Sequence, residues 1–470
     1  MTAQPPELAA ALGDRQRLGH LVLGVAAAAV ALGVAVLFAD SRIVIAAAAM
    51  VVALIVAFRY PFVAVLLYFV ASAVRPEELG LAPVFLHVER IFGILCLAAL
   101  VLPQAARRTW QRWQWETVDW SVAAFGAAAC LSVPLSVSRP WALQGCYELA
   151  KLAFLYVAVR STATTAPRLR AVVWTMLLVS AFSAIVSLVA RTQGQVYIGE
   201  HGVIRILGPT SVTGSPDALG NALVDVLPFA VLLVGVERRL STKVLCLGMA
   251  ALFLYATALT GTRGAVVSLA VVLLIIVAQL RYRFLALGLA VAAVAVTWQV
   301  VPPDLKARYA TLRTYQQEAT YQGRVENLRI GLRMLRDHPL TGAGIHCFMI
   351  ARVEEYDHRW SDAHNLLAQV AGETGILGLG AFTFFIAGTF LASRRARQFL
   401  GRLGAGDPAH VWLDRMCAAT TLMLIALLVQ GLGSHSMLRW QFYLGAALIV
   451  QAMRLARDAQ PSPEAEEPAG

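Results

Sequence analysis

Three arginines and one histidine lie on the outward-facing side of this chain, where their types could do chemistry, and Arg263 among them works against the charge rule for a tight outer turn. Arg263 lies in LTGTRGAVVSL, in a turn of a few residues between two apolar runs. Arg205 comes shortly before another apolar run in RILGPTSVTGSPDALGNAL, Arg324 lies in YQGRVENLRIGL, and His364 lies in DAHNLLAQVAGETGILGLGAF. Guanidinium presents five donors in a rigid fork that matches phosphate oxygens. A neutral imidazole takes a proton from a hydroxyl near neutral pH. Together these groups are suited to holding a phosphorylated anion beside a hydroxyl that is being activated. Asp362 or Ala363 falls where a helix N-cap should be. His364 would then sit in the first turn, where the positive end of the helix keeps an imidazole neutral. Asn365 is placed to orient the ring or a substrate hydroxyl.

The neighbours of these residues sharpen the expectation. Thr260, Gly261, Thr262 and Gly264 are small, so a ligand could approach the backbone closely beside Arg263. Arg329, Arg333 and Arg336 follow Arg324 along one amphipathic segment. His338, His346 and His358 lie in the same loop as His364 and are its rivals. Six cysteines (Cys96, Cys130, Cys146, Cys246, Cys347, Cys417) lie singly with no CxxC or metal-ligand spacing. Neither a disulfide framework nor a metal site is therefore expected, and no motif calls for a cofactor. Glu148 and Lys151, three residues apart inside an apolar run, can pair on one helix face. Asp225, also within a run, calls for a polar partner on another helix.

The elements that must position these groups are membrane helices. The chain has 470 residues, of which 59% are hydrophobic and only 14% charged. A soluble domain carries about a quarter charged residues. Apolar runs long enough to cross a hydrocarbon core of about 30 Å recur along most of the length. Lipid satisfies no backbone polar group, so the spans must be helices. About fourteen spans are expected, at 19–39, 43–58, 61–75, 89–103, 119–137, 142–159, 171–190, 218–236, 243–260, 264–280, 284–301, 373–393, 411–432 and 440–455. The fold class is all-α and polytopic.

The net charge of +11 does not point to nucleic acid. Lys and Arg concentrate in alternate loops such as AARRTWQRWQW, ERRLSTK and SRRARQFLGRLG, and the positive-inside rule puts those loops in the cytoplasm. Residues 1–18 then form a cytoplasmic tail, with no cleavable signal peptide evident. Spans 1–11 fill residues 19–301, spans 12–14 fill 373–455, and 456–470 form a disordered cytoplasmic tail. Two long segments face outward, about 191–217 and 302–372. The second is the only soluble piece of any size. Within it, GRVENLRIGLRMLRDHPL has helical periodicity ended by Pro339, and HCFMIARVEEY is a second short helix candidate. No internal repeat supports an inverted-repeat transporter.

Taken in order, the arginine-bearing RILG…SPDALGNAL, then LTGTRGAVVSL, GRVENLRIGLRMLRDHPLTGAGIHCF and DAHNLLAQVAGETGILGLGAF resemble the O-antigen ligase and polymerase superfamily over about residues 200–390. The resemblance implies a multispan enzyme of the bacterial inner membrane with both termini cytoplasmic and a periplasmic active site. Such enzymes move a glycan from an undecaprenyl-diphosphate carrier to an acceptor hydroxyl on lipid A core, protein or another glycan. Arg263 and Arg324 look like the family's two essential arginines, which bind the diphosphate. His364 looks like its essential histidine, which activates the acceptor. Arg205, Asn365 and Arg329 are the accompanying candidates for substrate binding. The reaction in the family is thought to need no metal. Pro216–Asp217 stands where many relatives have Pro-Asn, and Leu328 where a tryptophan is common. A ligase and a polymerase are both consistent with these motifs. A transporter of lipid-linked glycans would also want arginines, but along a path reachable from both faces.

Overall fold

The computed structural model describes residues 59–80, 87–107, 113–199, 202–279, 283–311, 319–404, 406–435 and 437–460, with isolated positions between 52 and 57. The tail 1–18, the expected span 19–39, most of the span 43–58 and residues 461–470 lie outside the described residues. The other twelve expected spans each coincide with a helix. In chain order the elements are α1 (Pro61–Val74), α2 (Val88–Arg107), α3 (Thr117–Ser132), α4 (Arg139–Thr162), α5 (Ala166–Thr192), the ribbon β1 (Tyr197–Ile198) and β2 (Ile204–Arg205), α6 (Pro216–Leu233), α7 (Leu240–Thr260), α8 (Arg263–Gln279) and α9 (Arg283–Val300). Three helices then fill the long loop: α10 (Pro303–Ala310), α11 (Ala319–Asp337) and α12 (Phe348–Glu355). The chain closes with α13 (Leu366–Leu403), α14 (Pro408–Gly431) and α15 (Trp440–Asp458).

Seven of these helices (α4, α5, α6, α7, α9, α13 and α14) are long and apolar enough to cross a membrane, and α1, α3 and α8 are apolar but shorter. The chain is thus an all-α membrane protein whose one described sheet is a two-residue antiparallel ribbon pairing Tyr197 with Arg205. The last helix, α15, is the centre of the bundle. Every residue from Gln441 to Met453 is buried, and it packs against α13, α4 and α14. A helix that is apolar all round belongs in such a place. It runs to Asp458, so the tail expected from 456 begins as helix.

Local chemistry sets several boundaries. Ser215 accepts a hydrogen bond from the Ala218 amide at 3.0 Å and Pro216 opens α6. Asp407 caps α14 in the same way, accepting from Ala409 N at 2.8 Å. Glu116 and Asp119 form a reciprocal capping box at α3. Asp119 is also the partner of a buried cation. Arg160 donates to it at 2.7 Å and Tyr156 at 2.6 Å, and both sides of the ion pair are almost fully buried. Glu148 and Lys151 do pair, at 2.8 Å, and Lys151 also reaches Glu89 at 3.2 Å.

The feature that joins the loop to the membrane bundle is a break in α13. At Gly375 the backbone turns to φ 64°, ψ −162°, so the helix is two pieces. Sequence patterning places the span's start at 373, and its regular part begins just after this break. Residues 339–344 insert into the gap. Ile376 N donates to Pro339 O at 2.9 Å and Leu377 N to Leu340 O at 3.3 Å. On the other side, Ala343 N donates to Gly372 O at 2.8 Å and Gly344 N to Glu373 O at 2.9 Å. Backbone groups freed by the break are thus re-satisfied within the protein, the condition for irregular backbone near a bilayer. A Cβ on residue 375 would lie 2.4 Å from Leu340 O. Gly375→Ala is therefore expected to lower stability by about 2–3 kcal/mol through the φ alone. A fluorescence melt of the purified protein in detergent checks it, and an unchanged midpoint would contradict the account of the break.

Candidate active site

α6, α8, α10, α11, α13 and α14 meet around a cavity of about 1400 Å³. Arg263, Arg324, His364 and Asn365 all line it. They come from different elements, and each is placed by a distinct device.

Arg263 is the first residue of α8, and its side chain is largely buried. The helix before it ends on Gly261 at φ 63°, in the left-handed conformation that glycine adopts without strain. Arg263 Nη1 donates to Thr311 Oγ1 at 2.8 Å, at the end of α10. The room expected beside Gly261 for a ligand is taken by the protein itself. A Cβ there would meet Leu305, Arg205 and Arg308, and Arg308 Nε donates to Gly261 O at 2.9 Å.

Arg324 extends from α11 against Gly433, where a Cβ would come within 3.1 Å of its Nη1. Glycine at 433 leaves the guanidinium its place on the cavity wall.

His364 precedes α13 in a left-handed conformation, φ 44°. A non-glycine residue held there costs of order 1–3 kcal/mol, and such strain clusters at functional sites. The described non-glycine residues with positive φ are Arg75, His87, His346, His358 and His364, and three of these (Arg75, His346, His364) line this cavity. The His364 ring meets His435 edge-to-face, with centroids 5.4 Å apart. His435 Nε2 in turn lies 3.7 Å from Asp362 Oδ2. His364 has solvent-accessible surface, yet protein surrounds it closely on the cavity wall. That crowding lowers its pKa below the usual imidazole value. The interactions with His435 and Arg324 push the same way, against Asp362 and Asp217. The ring is neutral at neutral pH.

The helix cap is not where the sequence places it. Asn365, rather than Asp362 or Ala363, caps α13, accepting from Ala368 N at 3.0 Å. His364 therefore stands before the cap and not in the first turn. Its neutrality comes from its surroundings, not from a first-turn position. The Asn365 amide also donates to Leu432 O at 3.2 Å, so this side chain ties α13 to the end of α14.

The remaining sequence candidates sit apart. Arg205 is buried and does not line the cavity. It donates to Thr260 O at 2.6 Å, Thr262 Oγ1 at 3.2 Å and Asp217 Oδ1 at 2.7 Å. It thus fastens the α7–α8 turn to the start of α6, behind Arg263. Asp217, the other half of that pair, does line the cavity. Arg329 projects outward, mostly exposed, 3.5 Å from Glu326. Among the rival histidines, His338 pairs with Glu355 at 3.1 Å and His358 shares a bond with Val353 O at 2.7 Å, both off the cavity. His346 does line it.

Among the liners that escape the sequence analysis are Arg308, His435 and Arg439. Arg308 follows Pro302–Pro303 on a short helix and resembles any solvated arginine. Arg439 carries a readable signal in retrospect. Asp225 is fully buried in α6, and a buried carboxylate demands a cation. Arg439 Nη2 supplies it at 2.7 Å, with Gln430 donating at 3.0 Å and Gln441 at 3.2 Å.

A cavity walled by arginines with a neutral imidazole on its rim is suited to an anionic ligand and a proton-yielding group. No curated protein matches the chain. Residues 248–383, from within α7 to the first part of α13, match the family model described as O-antigen ligase. The stretch contains Arg263, Arg308, Arg324 and His364, and this match over part of the chain supports a relation to the O-antigen ligase superfamily.

Proposed function

We propose that the chain is a glycosyltransferase of the bacterial inner membrane. It moves a glycan from an undecaprenyl-diphosphate carrier to an acceptor hydroxyl at the periplasmic face, in the manner of a ligase. The observation that carries this reading is the meeting of Arg263, Arg324 and His364 on the wall of one cavity, although they lie far apart along the chain. In the reaction, the acceptor O–H gives its proton to the neutral His364 ring. Its oxygen forms the new bond to the sugar's anomeric carbon. The bond from that carbon to the phosphate oxygen breaks, and the lipid diphosphate leaves with the electron pair. Charge develops on the leaving diphosphate, and preorganised donors aimed at that charge contribute most to such steps. Arg263 and Arg324 are the donors assigned to it. Arg308 and Arg439 stand on the same wall, so the reading is of a transfer whose charge is met by guanidinium groups and which is independent of a metal.

The test uses the full chain purified into liposomes, supplied with carrier-linked glycan and an acceptor on one side. The expected result is a new glycosidic bond and release of the lipid diphosphate. Movement of the glycan across the bilayer with no new bond would overturn the proposal in favour of a transporter. Product that lengthens on its own carrier would assign the polymerase type. Arg263→Lys is expected to lower kcat/KM by about 10²-fold, because a point charge does not replace the fork.

A further inference from the structure

An aromatic cluster flanks the cavity that the transfer chemistry does not use. Trp141, in the first turn of α4, lies parallel to the His346 ring with centroids 5.6 Å apart and planes at 26°. Trp360 meets Trp141 edge-on, also at 5.6 Å. The cluster is continuous with the cavity, because His346 is part of the wall and so are Arg359 and Ser361 on either side of Trp360. Trp360 itself is 59% exposed.

The cluster is held rigidly. Gly145 follows Trp141 by one helical turn, and a Cβ there would lie 2.6 Å from His346 Cβ. The glycine lets the imidazole settle onto the indole. His346 N donates to Glu373 Oε2 at 2.7 Å, fixing the same residue from the other side. The loop bearing Trp360 is tied at both ends. Arg352 grips Asp357 with two bonds of 2.6 Å and also donates to Asn327 Oδ1. Asn327 donates back to Asp362 O at 2.8 Å. Trp360 stands between these ties, its exposed indole set edge-on against Trp141.

We propose that Trp360, backed by Trp141 and His346, is a stacking platform for a pyranose ring of the glycan. The inference rests on the glycosyltransferase reading above and names where the saccharide lies. A sugar ring has an apolar C–H face and a rim of hydroxyls. The platform offers the complement, an indole face with Arg359 and Ser361 beside it. A purely lipid-facing tryptophan would sit among apolar neighbours, whereas Trp360 lies within Asp357–Asp362, where every other residue is polar. Trp360 and His364 are four positions apart, a reach of at most ~14 Å. The platform thus holds sugar close to the imidazole without entering the chemistry.

The test compares Trp360→Ala, Trp360→Leu and Trp360→Phe in the full-length protein. The KM for the glycan-bearing substrate is expected to rise about tenfold in the alanine and leucine variants, with kcat little changed, and to recover in the phenylalanine variant. A rise seen with the full-length carrier-linked glycan but not with a carrier bearing one sugar assigns the platform to the donor. A rise in the acceptor's KM assigns it to the acceptor saccharide. Binding is read separately, from the wild-type-minus-Trp360→Phe emission titrated with oligosaccharide released from the carrier by mild acid. That titration decides the platform even where no transfer occurs, which would count against the glycosyltransferase reading alone. The platform is overturned if the leucine variant matches wild type, if emission does not respond to the oligosaccharide, or if brominated lipids quench this indole as they quench a membrane anchor.

Discussion

His364→Ala will lower transfer by between about 10³ and 10⁴-fold while insertion and folding persist, the upper part of the range for loss of a general base. The fold should survive because His364 precedes the cap of α13, and Asn365 makes the capping bond. Alanine in place of an imidazole at φ 44° leaves the bundle's contacts intact. The pH profile adds a second readout. The reactive form is the neutral ring, whose pKa lies below its usual value of about 6.5. The causes, largest first, are the protein packed around it and the interaction with His435, with Arg324 adding to them. Asp362 and Asp217 oppose them. The rate should therefore hold steady through neutrality and fall only below that usual value, tenfold per pH unit once the ring is mostly protonated. Removing His435 relieves one of the depressing interactions, so His435→Ala should move the acid limb upward. Normal product from the His364 variant, or a limb unmoved by His435→Ala, would remove the imidazole from the mechanism.

Asp119→Ala will destabilise the protein by roughly 3–5 kcal/mol, the cost of leaving one member of a buried ion pair alone. Arg160 keeps its bond to Gln114 O at 2.6 Å and its place over the Trp113 ring, 3.9 Å from the centroid, but loses its ion-pair partner. Tyr156 loses its acceptor at the same time. The helix α3 also loses half of its capping box. Asp119→Asn keeps one acceptor oxygen of the two that Tyr156 and Arg160 use, and should cost less than the alanine. Melting of the detergent-purified variants checks the order. Equal midpoints for wild type and Asp119→Ala would show that the pair contributes nothing net.

Much of this architecture can be read from the chain alone, for a definite reason. Membrane helices need long apolar runs, so twelve of the fifteen described helices announce themselves by hydropathy, and α11 by period. Arg263 and His364 are legible because a cation on a tight turn, or a histidine at a helix mouth, conflicts with the local rule around it, whereas Arg324 is legible only through the order of motifs that resembles the superfamily. What escapes is set by contacts between distant residues. Asp362 and Asn365 are both good caps three residues apart, and local preference does not choose between them. The choice is made elsewhere, because Asn327 claims the Asp362 carbonyl. Gly261 reads as space for a ligand, but Arg205 and Arg308 arrive there from residues remote in sequence. Arg439 reads as an ordinary interfacial arginine until Asp225 is placed beside it.

The break in α13 has a mechanical consequence. The excursion that carries Trp360 and His364 leaves the bundle at residues 339–344 and returns at 372–377, and these two points are bonded directly to each other. Its ends are closed on themselves, like a purse drawn shut. Residues added to or removed from the exposed middle of that excursion leave the joint unaltered, and the entropy of closing it changes only with the logarithm of its length. Lineages can therefore remodel what lies above the joint while the helices below keep their places.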